Sequence, residues 1–358
     1  MRGVHLPGGS RVDIREVPDP VPGHGQVVLR PVASTICGSD LRAIYREHLG
    51  SGPEAYQDVV AGHEPCGEVL DVGPGCVNTR PGDRVVVYHI SGCGLCAECR
   101  RGYQVSCTSR VRQAYGWQRD GGHAELLLAQ ERDLLPLPGA LTYLDGACVA
   151  CGFATAYEAL CRAGVSGRDT VLVTGLGPVG LAVGLLAQAL GATRVVGTDP
   201  SEPRRTLAVE MGAAHQVVDG EAGALAELLG DGVEVAVDCS GSGAGQAAAV
   251  TGTRRRGRCV LVGEGGQLSL DVSRDVIHRQ LTLIGSWVSS TWRMAELLRL
   301  LVRWELHPEQ VVTDRFGLDQ AEQAYRVADQ GAAGKVAIVS DTRPRSAPVP
   351  DTAVGSTP

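Results

Sequence analysis

Along the first 150 residues the apolar positions come in short runs broken by glycine and proline. Residues 26–30, 68–72 and 84–88 are β-branched runs, and Asp19-Pro20, Pro22-Gly23, Gly73-Pro74 and Pro81-Gly82-Asp83 punctuate them. Runs of this length between turn signals predict a β-rich, barrel-like domain. Near residue 150 the texture changes. Thr170-Val171-Leu172-Val173-Thr174 reads as a buried strand, 181–190 as a helix and 194–198 as a second strand. Further strands are expected at 216–218, 233–237, 259–262 and 281–284, which makes six, the number in a complete doubly wound parallel sheet. Past Ser290, the residues Met294, Leu297, Leu298, Leu301 and Val302 fall at helical spacing and predict a packed amphipathic helix. Asp319 with Glu322 reads as a capping pair before a helix running to Ala328, and 335–339 as a last strand. The expected fold class is α/β, with a β-barrel domain joined to a doubly wound six-stranded sheet. The proline-, serine- and threonine-rich residues 342–358 are expected to be disordered.

Composition narrows the function. The 358 residues are 44% hydrophobic and 20% charged, an ordinary globular balance, and the net charge of -7 speaks against a nucleic-acid partner. No apolar run is long enough to span a membrane and no apolar leader follows Met1, so the expected setting is cytoplasmic. Lys335 is the only lysine, which removes P-loop and Schiff-base chemistry. There is neither a G-x-S-x-G elbow nor an H-E-x-x-H helix.

Twelve cysteines without a secretory leader point to metal or to reduced thiols. Cys93, Cys96, Cys99 and Cys107 lie within fifteen residues, the first three at C-x2-C-x2-C spacing. Four thiolates make a closed tetrahedral zinc site that acts as a structural clip. An iron–sulfur cluster also takes four thiolates, but the common ferredoxin run does not match the gap before Cys107. Cys37-Gly38-Ser39-Asp40 and Gly62-His63-Glu64 offer a second set of donors, a weak pair on spacing alone. Gly175-Leu176-Gly177-Pro178-Val179-Gly180 sits between a strand and a helix, and Asp199 follows about twenty residues on, the context of a dinucleotide fingerprint. The glycines let the backbone approach a pyrophosphate, while Asp199 accepts hydrogen bonds from ribose hydroxyls and repels a 2'-phosphate, favouring NAD over NADP.

These motifs, with Cys151-Gly152-Phe153, resemble in their order the zinc-dependent medium-chain alcohol dehydrogenases, over nearly the whole chain up to the tail. The resemblance implies a GroES-like catalytic domain over 1–152 with a structural-zinc lobe at 93–107. It implies a Rossmann NAD-binding domain over 153–289 and a return to the catalytic domain over 290–341. Two zinc ions per chain follow, the catalytic one held by Cys37, His63 and Cys151, with Cys148 an alternative third ligand. Glu64 matches the acid beside the zinc that serves as a transient fourth ligand, and Asp40 the acid that orients His63. Arg204 is similar to the family's basic residue on the ribose, and Thr155 resembles a residue flanking the nicotinamide. The implied reaction moves a hydride from an alcohol to NAD, with Ser39 carrying the hydroxyl proton outward. Relatives commonly carry a histidine where this chain has Arg42, which cannot accept a proton near neutral pH; release is then expected through cofactor hydroxyls and water, or through His48 if it folds back. His89, Tyr45 and Trp117, together with Arg42 and Trp287, are candidates for the cleft wall. A polar wall suits a polyol, a sugar or a hydroxy-amino acid better than a long-chain alcohol. Simple aliphatic alcohols are the alternative substrates. A zinc-free double-bond reductase of the same superfamily would need neither Cys37 nor the thiol lobe. Dimers or tetramers of the chain are the oligomers the resemblance implies.

Overall fold

The computed structural model describes residues 1–340, so the tail over 342–358 lies outside the described residues. After the hairpin β1 (Arg2–Gly8) and β2 (Arg11–Glu16), the chain enters its longest strand, β3 (Gln26–Thr35). β4 (Glu64–Val72) pairs antiparallel along β3, then β5 (Arg84–Val87) along β4. Alternation sets what each face buries. Val85 and Val87 join Val27, Leu29, Val69 and Tyr115 in one core, while Val86 points the other way into a second core with Cys66 and Ala147. Between the sheet strands, the short strands β6 (Ile90–Ser91) and β7 (Gln113–Ala114) pair antiparallel at the base of the thiol lobe. β8 (Leu127–Gln130) pairs with β3 and β9 (Leu134–Pro136) with β5.

A helix at Tyr143–Cys148 and another at Ala154–Ala163 lead into the parallel sheet. Its strands are β10 (Thr170–Thr174), β11 (Arg194–Thr198), β12 (Gln216–Val218), β13 (Val233–Asp238), β14 (Thr253–Leu261) and β15 (Thr282–Gly285). They lie in the order β12-β11-β10-β13-β14-β15, all parallel, so the order reverses between β10 and β13. That reversal opens a crevice at the carboxyl ends of the strands, the place where such sheets take ligands. β14 starts six residues before the apolar run expected from 259, because Arg254 and Arg255 hide its start and Arg256 takes φ +62 at an irregularity in the pairing.

The chain then returns. β16 (Val312–Phe316) runs parallel to β17 (Lys335–Val339), and β17 pairs antiparallel with β3. Strands from both ends of the chain thus complete one seven-stranded mixed sheet. Two expectations need correction. In the helix Thr291–Trp304, Met294, Leu297, Leu298 and Leu301 are buried, but Val302 is 37% exposed. At 3.6 residues per turn it lies about 80° round from Met294, at the edge of the stripe. Asp319 does not cap a helix. It pairs with Arg2, and the amide N–H of Gly317 donates to Gln320 Oε1 across a short turn before the helix Ala321–Asp329. Among the described residues no helix is long and apolar enough to cross a membrane.

Candidate active site

The site is built at the ends of β3 and β4. Beyond Thr35 the amide N–H of Ile36 still donates to Val336 O at 2.9 Å, and the chain then turns at Cys37. Asp40, fully buried, fixes that turn by accepting the Cys37 amide N–H on Oδ2 at 2.9 Å. Its other oxygen lies 2.8 Å from His63 Nδ1, which leaves Nε2 as the imidazole's donor atom. Just before His63, Gly62 takes φ +93, and a Cβ there would meet the His123 ring at 2.4 Å, so only glycine fits. Cys151 arrives from the helical turn Val149–Phe153. The donor atoms of Cys37, His63, Glu64 and Cys151 all lie within 4.8 Å of one another. Cys148, one turn earlier, stays in the core, where burial pushes its thiol up, and is not in that group.

The surroundings settle the charges. The hydrogen bond from Cys151 holds the Cys37 thiol well below its ordinary range, with the Lys335 ammonium adding to the effect against burial. Burial pushes the Glu64 carboxyl up to about 7 against the pull of Lys335. Lys335 Nζ sits 2.6 Å and 2.9 Å from the two Glu64 oxygens, and Thr35 Oγ1 donates to the same carboxylate. Two thiols, one of them held as thiolate, and an imidazole oriented by a buried carboxylate form a donor set that suits zinc.

The second thiol group fits zinc in a different way. Cys93, Cys96, Cys99 and Cys107 also lie within 4.8 Å of one another, all as free thiols. Backbone N–H groups of Cys96 and Leu95 point at Cys93 Sγ from 3.3 and 3.4 Å and bring its thiol down to about 6. The Cys93 and Cys99 sulfurs are 3.9 Å apart. Bonds of about 2.3 Å to a tetrahedral zinc would set sulfurs about 3.8 Å apart. The set fits.

In the crevice, Gly175 has φ +87 and a Cβ there would press on Ser240 Cα at 2.7 Å, while one on Gly180 would overlap Gly175 O. Pro178 opens the helix Pro178–Ala189 directly after Gly177, three residues earlier than the apolar pattern implied, since its fixed φ suits a first turn. Asp199 accepts the Leu176 and Ser201 amide N–H groups at 2.8 Å each, and Arg204 stands 3.8 Å from it. Each carboxylate oxygen keeps a further lone pair.

A cleft of about 630 Å³ joins these parts. Cys37, Ser39, His63, Cys151, Thr155, Val179 and Arg204 all line it. The Ser39 hydroxyl faces no protein hydrogen-bond partner among the described residues. His89 and Trp117 are also in the wall. The His89 ring is 5.3 Å from that of His63 and its Nδ1 bonds to Ala150 O, and burial lowers its pKa to about 4, so the ring is neutral. Trp117 Nε1 donates to Glu54 O. Tyr45 does not belong to the cleft. It is buried against Tyr325 in a separate core, on the side of its helical turn away from Arg42 and Arg46. His48 bonds to Leu6 O at the surface and cannot serve Ser39. A larger groove of about 1230 Å³ on another face of the molecule holds Arg2, Arg30, Glu68 and Asp319, paired among themselves and with Glu125, and none of the metal donors. Sequence reasoning missed Lys335 as part of the site. Its one signal was a lone charged residue opening an apolar strand.

A six-stranded Rossmann sheet and a mixed sheet sharing a donor-lined cleft define a two-domain, dinucleotide-dependent dehydrogenase. The Alcohol dehydrogenase GroES-like domain model matches residues 23–139, and the Zinc-binding dehydrogenase model matches 178–303. The uncharacterized zinc-type alcohol dehydrogenase-like protein YphC of Escherichia coli (strain K12) is 47% identical over 346 residues, covering 94% of this chain and 98% of that one. Sorbitol dehydrogenase of Gallus gallus is 31% identical, covering 94% and 95%. Among solved structures, the short chain alcohol dehydrogenase (rspB) from E. coli CFT073 complexed with NADH superposes with TM-score 0.85 at 25% identity, covering 95% and 99%. The chain belongs to the zinc-type medium-chain alcohol dehydrogenases, NAD(P)-dependent oxidoreductases acting on CH–OH donors.

Lys335→Met is expected to destabilise the protein by about 3–5 kcal/mol, because it leaves the Glu64 carboxylate buried without its cation. Lys335→Met combined with Glu64→Gln recovers much of the loss. Urea unfolding of the two variants measures this, and equal stability of Lys335→Met and wild type would rule out a structural ion pair.

Proposed function

We propose that this chain oxidises a polar secondary alcohol, a polyol, sugar or hydroxy-amino acid, to the ketone with NAD+. The observation that carries the reading is the convergence of the Cys37, His63 and Cys151 donors with Thr155 and Val179 on one cleft, beside the glycine-rich crevice. Zinc, when bound, supplies Lewis acidity toward the substrate hydroxyl, and the dinucleotide supplies the hydride acceptor. The residues do the positioning. Asp40 holds His63 and the Cys37 turn in place. Ser39 accepts the hydroxyl proton at Oγ and passes its own outward. The neutral His89, whose Nδ1 bonds to Ala150 O and whose Nε2 is left as an acceptor, gives the wall hydrogen-bonding character, which favours a hydroxyl-rich substrate over an aliphatic one. Cys93, Cys96, Cys99 and Cys107 hold a second, structural zinc. Twelve cysteines, all free, suit a reducing compartment, the cytoplasm.

Metal analysis is expected to give two zinc per chain, falling to one in Cys37→Ala, which loses NAD reduction while still binding NADH. Zinc near zero in the wild type would overturn the reading. For cofactor choice, Asp199 favours NAD by meeting the ribose hydroxyls. Asp199→Ala is expected to lower the NAD/NADP ratio of kcat/KM at least tenfold; an unchanged ratio assigns the discrimination elsewhere. For assembly, β15 is one of the two edge strands of its sheet among the described residues, with Leu283 on it and Ile277 before it exposed. Such an edge invites pairing, so a homo-oligomer is expected. Sedimentation should show a dimer or tetramer that Leu283→Lys weakens, and a wild-type monomer would refute it.

A further inference from the structure

The outer end of the cleft carries a cation that the reaction above does not use. Resting on the proposed oxidation of a polar alcohol, we propose that the substrate bears an anionic group, carboxylate or phosphate, at the end away from the reacting carbon, and that Arg112 receives it.

The placement comes from the β6–β7 ladder. Tyr115 donates its amide N–H to His89 O, and Ile90 pairs with Ala114, so this ladder starts beside the His63 ring and leads outward. Arg112 stands three residues beyond Tyr115, about 10 Å along an extended chain. It lines the same cleft as Cys37, Ser39 and His63. A sugar-length substrate reaching from the metal donors meets it.

The guanidinium is held as a receptor. Its Nε donates to Val105 O at 3.0 Å, and its carbon lies 5.9 Å from the centre of the Trp287 ring. The side chain is only 15% exposed, yet the carboxylate paired with it, Glu54 at 3.0 Å, is 79% exposed and touches a single nitrogen, Nη1. Among the described residues Nη2 has no hydrogen-bond partner. A guanidinium offers five donors in a planar fork matched to carboxylate or phosphate, and most of this fork is uncommitted. An ion pair whose acid is so exposed is weak and readily exchanged. The other arginines of the cleft are otherwise engaged. Arg42 reaches Glu264, Arg46 pairs with Asp329, and Arg204 stands by Asp199 at the dinucleotide crevice.

Glu54 makes the proposal decidable, because its removal acts in opposite directions on the two kinds of substrate. A neutral polyol would use Glu54 as an acceptor, so Glu54→Gln would weaken it. An anion competes with Glu54 for Arg112, so Glu54→Gln would tighten it. The experiment measures kcat and KM of the zinc-loaded enzyme with NAD+ on sorbitol, sorbitol 6-phosphate and gluconate. The expected result is a KM at least tenfold lower for one of the two anions than for sorbitol; which anion it is separates phosphate from carboxylate. Arg112→Met should erase most of that preference, Arg112→Lys should keep part of it, and Glu54→Gln should lower the KM of the preferred anion two- to threefold. Zinc content reports that each variant is folded. Equal use of sorbitol and both anions, or a higher anion KM in Glu54→Gln, overturns the proposal. If none of the three is oxidised, the alcohol reading itself is at fault. Calorimetric titration of sorbitol 6-phosphate and gluconate onto the NADH complex then judges Arg112 separately: binding lost in Arg112→Met supports the anion site, and no binding to the wild type refutes it.

Discussion

Everything around the cleft depends on a set of charges taken out of water together. Asp40 and Glu64 are fully buried, Lys335 is 3% exposed, and the Cys37 and Cys151 sulfurs lie beside them. An isolated ion in such a place costs several kcal/mol, so each must find its partner at the moment the chain packs. The register of three strands arranges this. Ala337 pairs with Thr35 and Thr35 with Glu64, so β17, β3 and β4 meet where Lys335, Thr35 and Glu64 close on one another. The return of the chain to the first sheet is therefore part of the site's chemistry: without β17 the carboxylate beside the metal donors has no cation.

The two thiol clusters show two ways of preparing a metal site. In the lobe the ligands are close in sequence, and backbone N–H groups of the same loop point at the sulfurs of Cys93 and Cys96, so local folding lowers those two thiols before any metal arrives. In the cleft the ligands come from three separate stretches, and the help comes from side chains: Asp40 to His63, Lys335 and Cys151 to Cys37. The first is a clip that closes on itself. The second keeps its donors on the wall of an open cleft, with Ser39 beside them.

That contrast also explains what could be read from the residues alone. The lobe and the glycine fingerprint are local, and their spacing carried the chemistry. The six parallel strands were legible because buried β-branched runs alternate with helical ones. Cys37, His63 and Cys151 are far apart in the chain, and only resemblance joined them. Tyr45, Val302 and Asp319 were misjudged for one reason: the phase of a helix or turn, not residue type, decides whether a side chain faces cleft, core or solvent. Lys335 shows only as a lone charge opening an apolar strand, and Arg112 carries no local signature. One matters through an ion-pair partner 271 positions away, the other through a carbonyl and an exposed acid that its turn brings together.

Arg42 brings these strands of argument to one place. Where the family resemblance implies a histidine that can relay a proton, this chain has a guanidinium that donates to the backbone carbonyl of Glu264 and lies 3.3 Å from its carboxylate. Glu264 sits in the loop after β14, at the mouth of the dinucleotide crevice, while Arg42 belongs to the turn that begins at Cys37. The contact ties the metal-donor side of the cleft to the cofactor side. A permanently charged group in that position cannot take a proton from Ser39, and His48 is committed to Leu6 O, so neither residue supplies the next step of the proposed relay. In the proposed reaction the proton then leaves Ser39 through the cleft itself, by water or the hydroxyls of bound cofactor and substrate, and the proposed hydroxyl-rich substrate is consistent with a site that leaves that step to whatever the cleft holds.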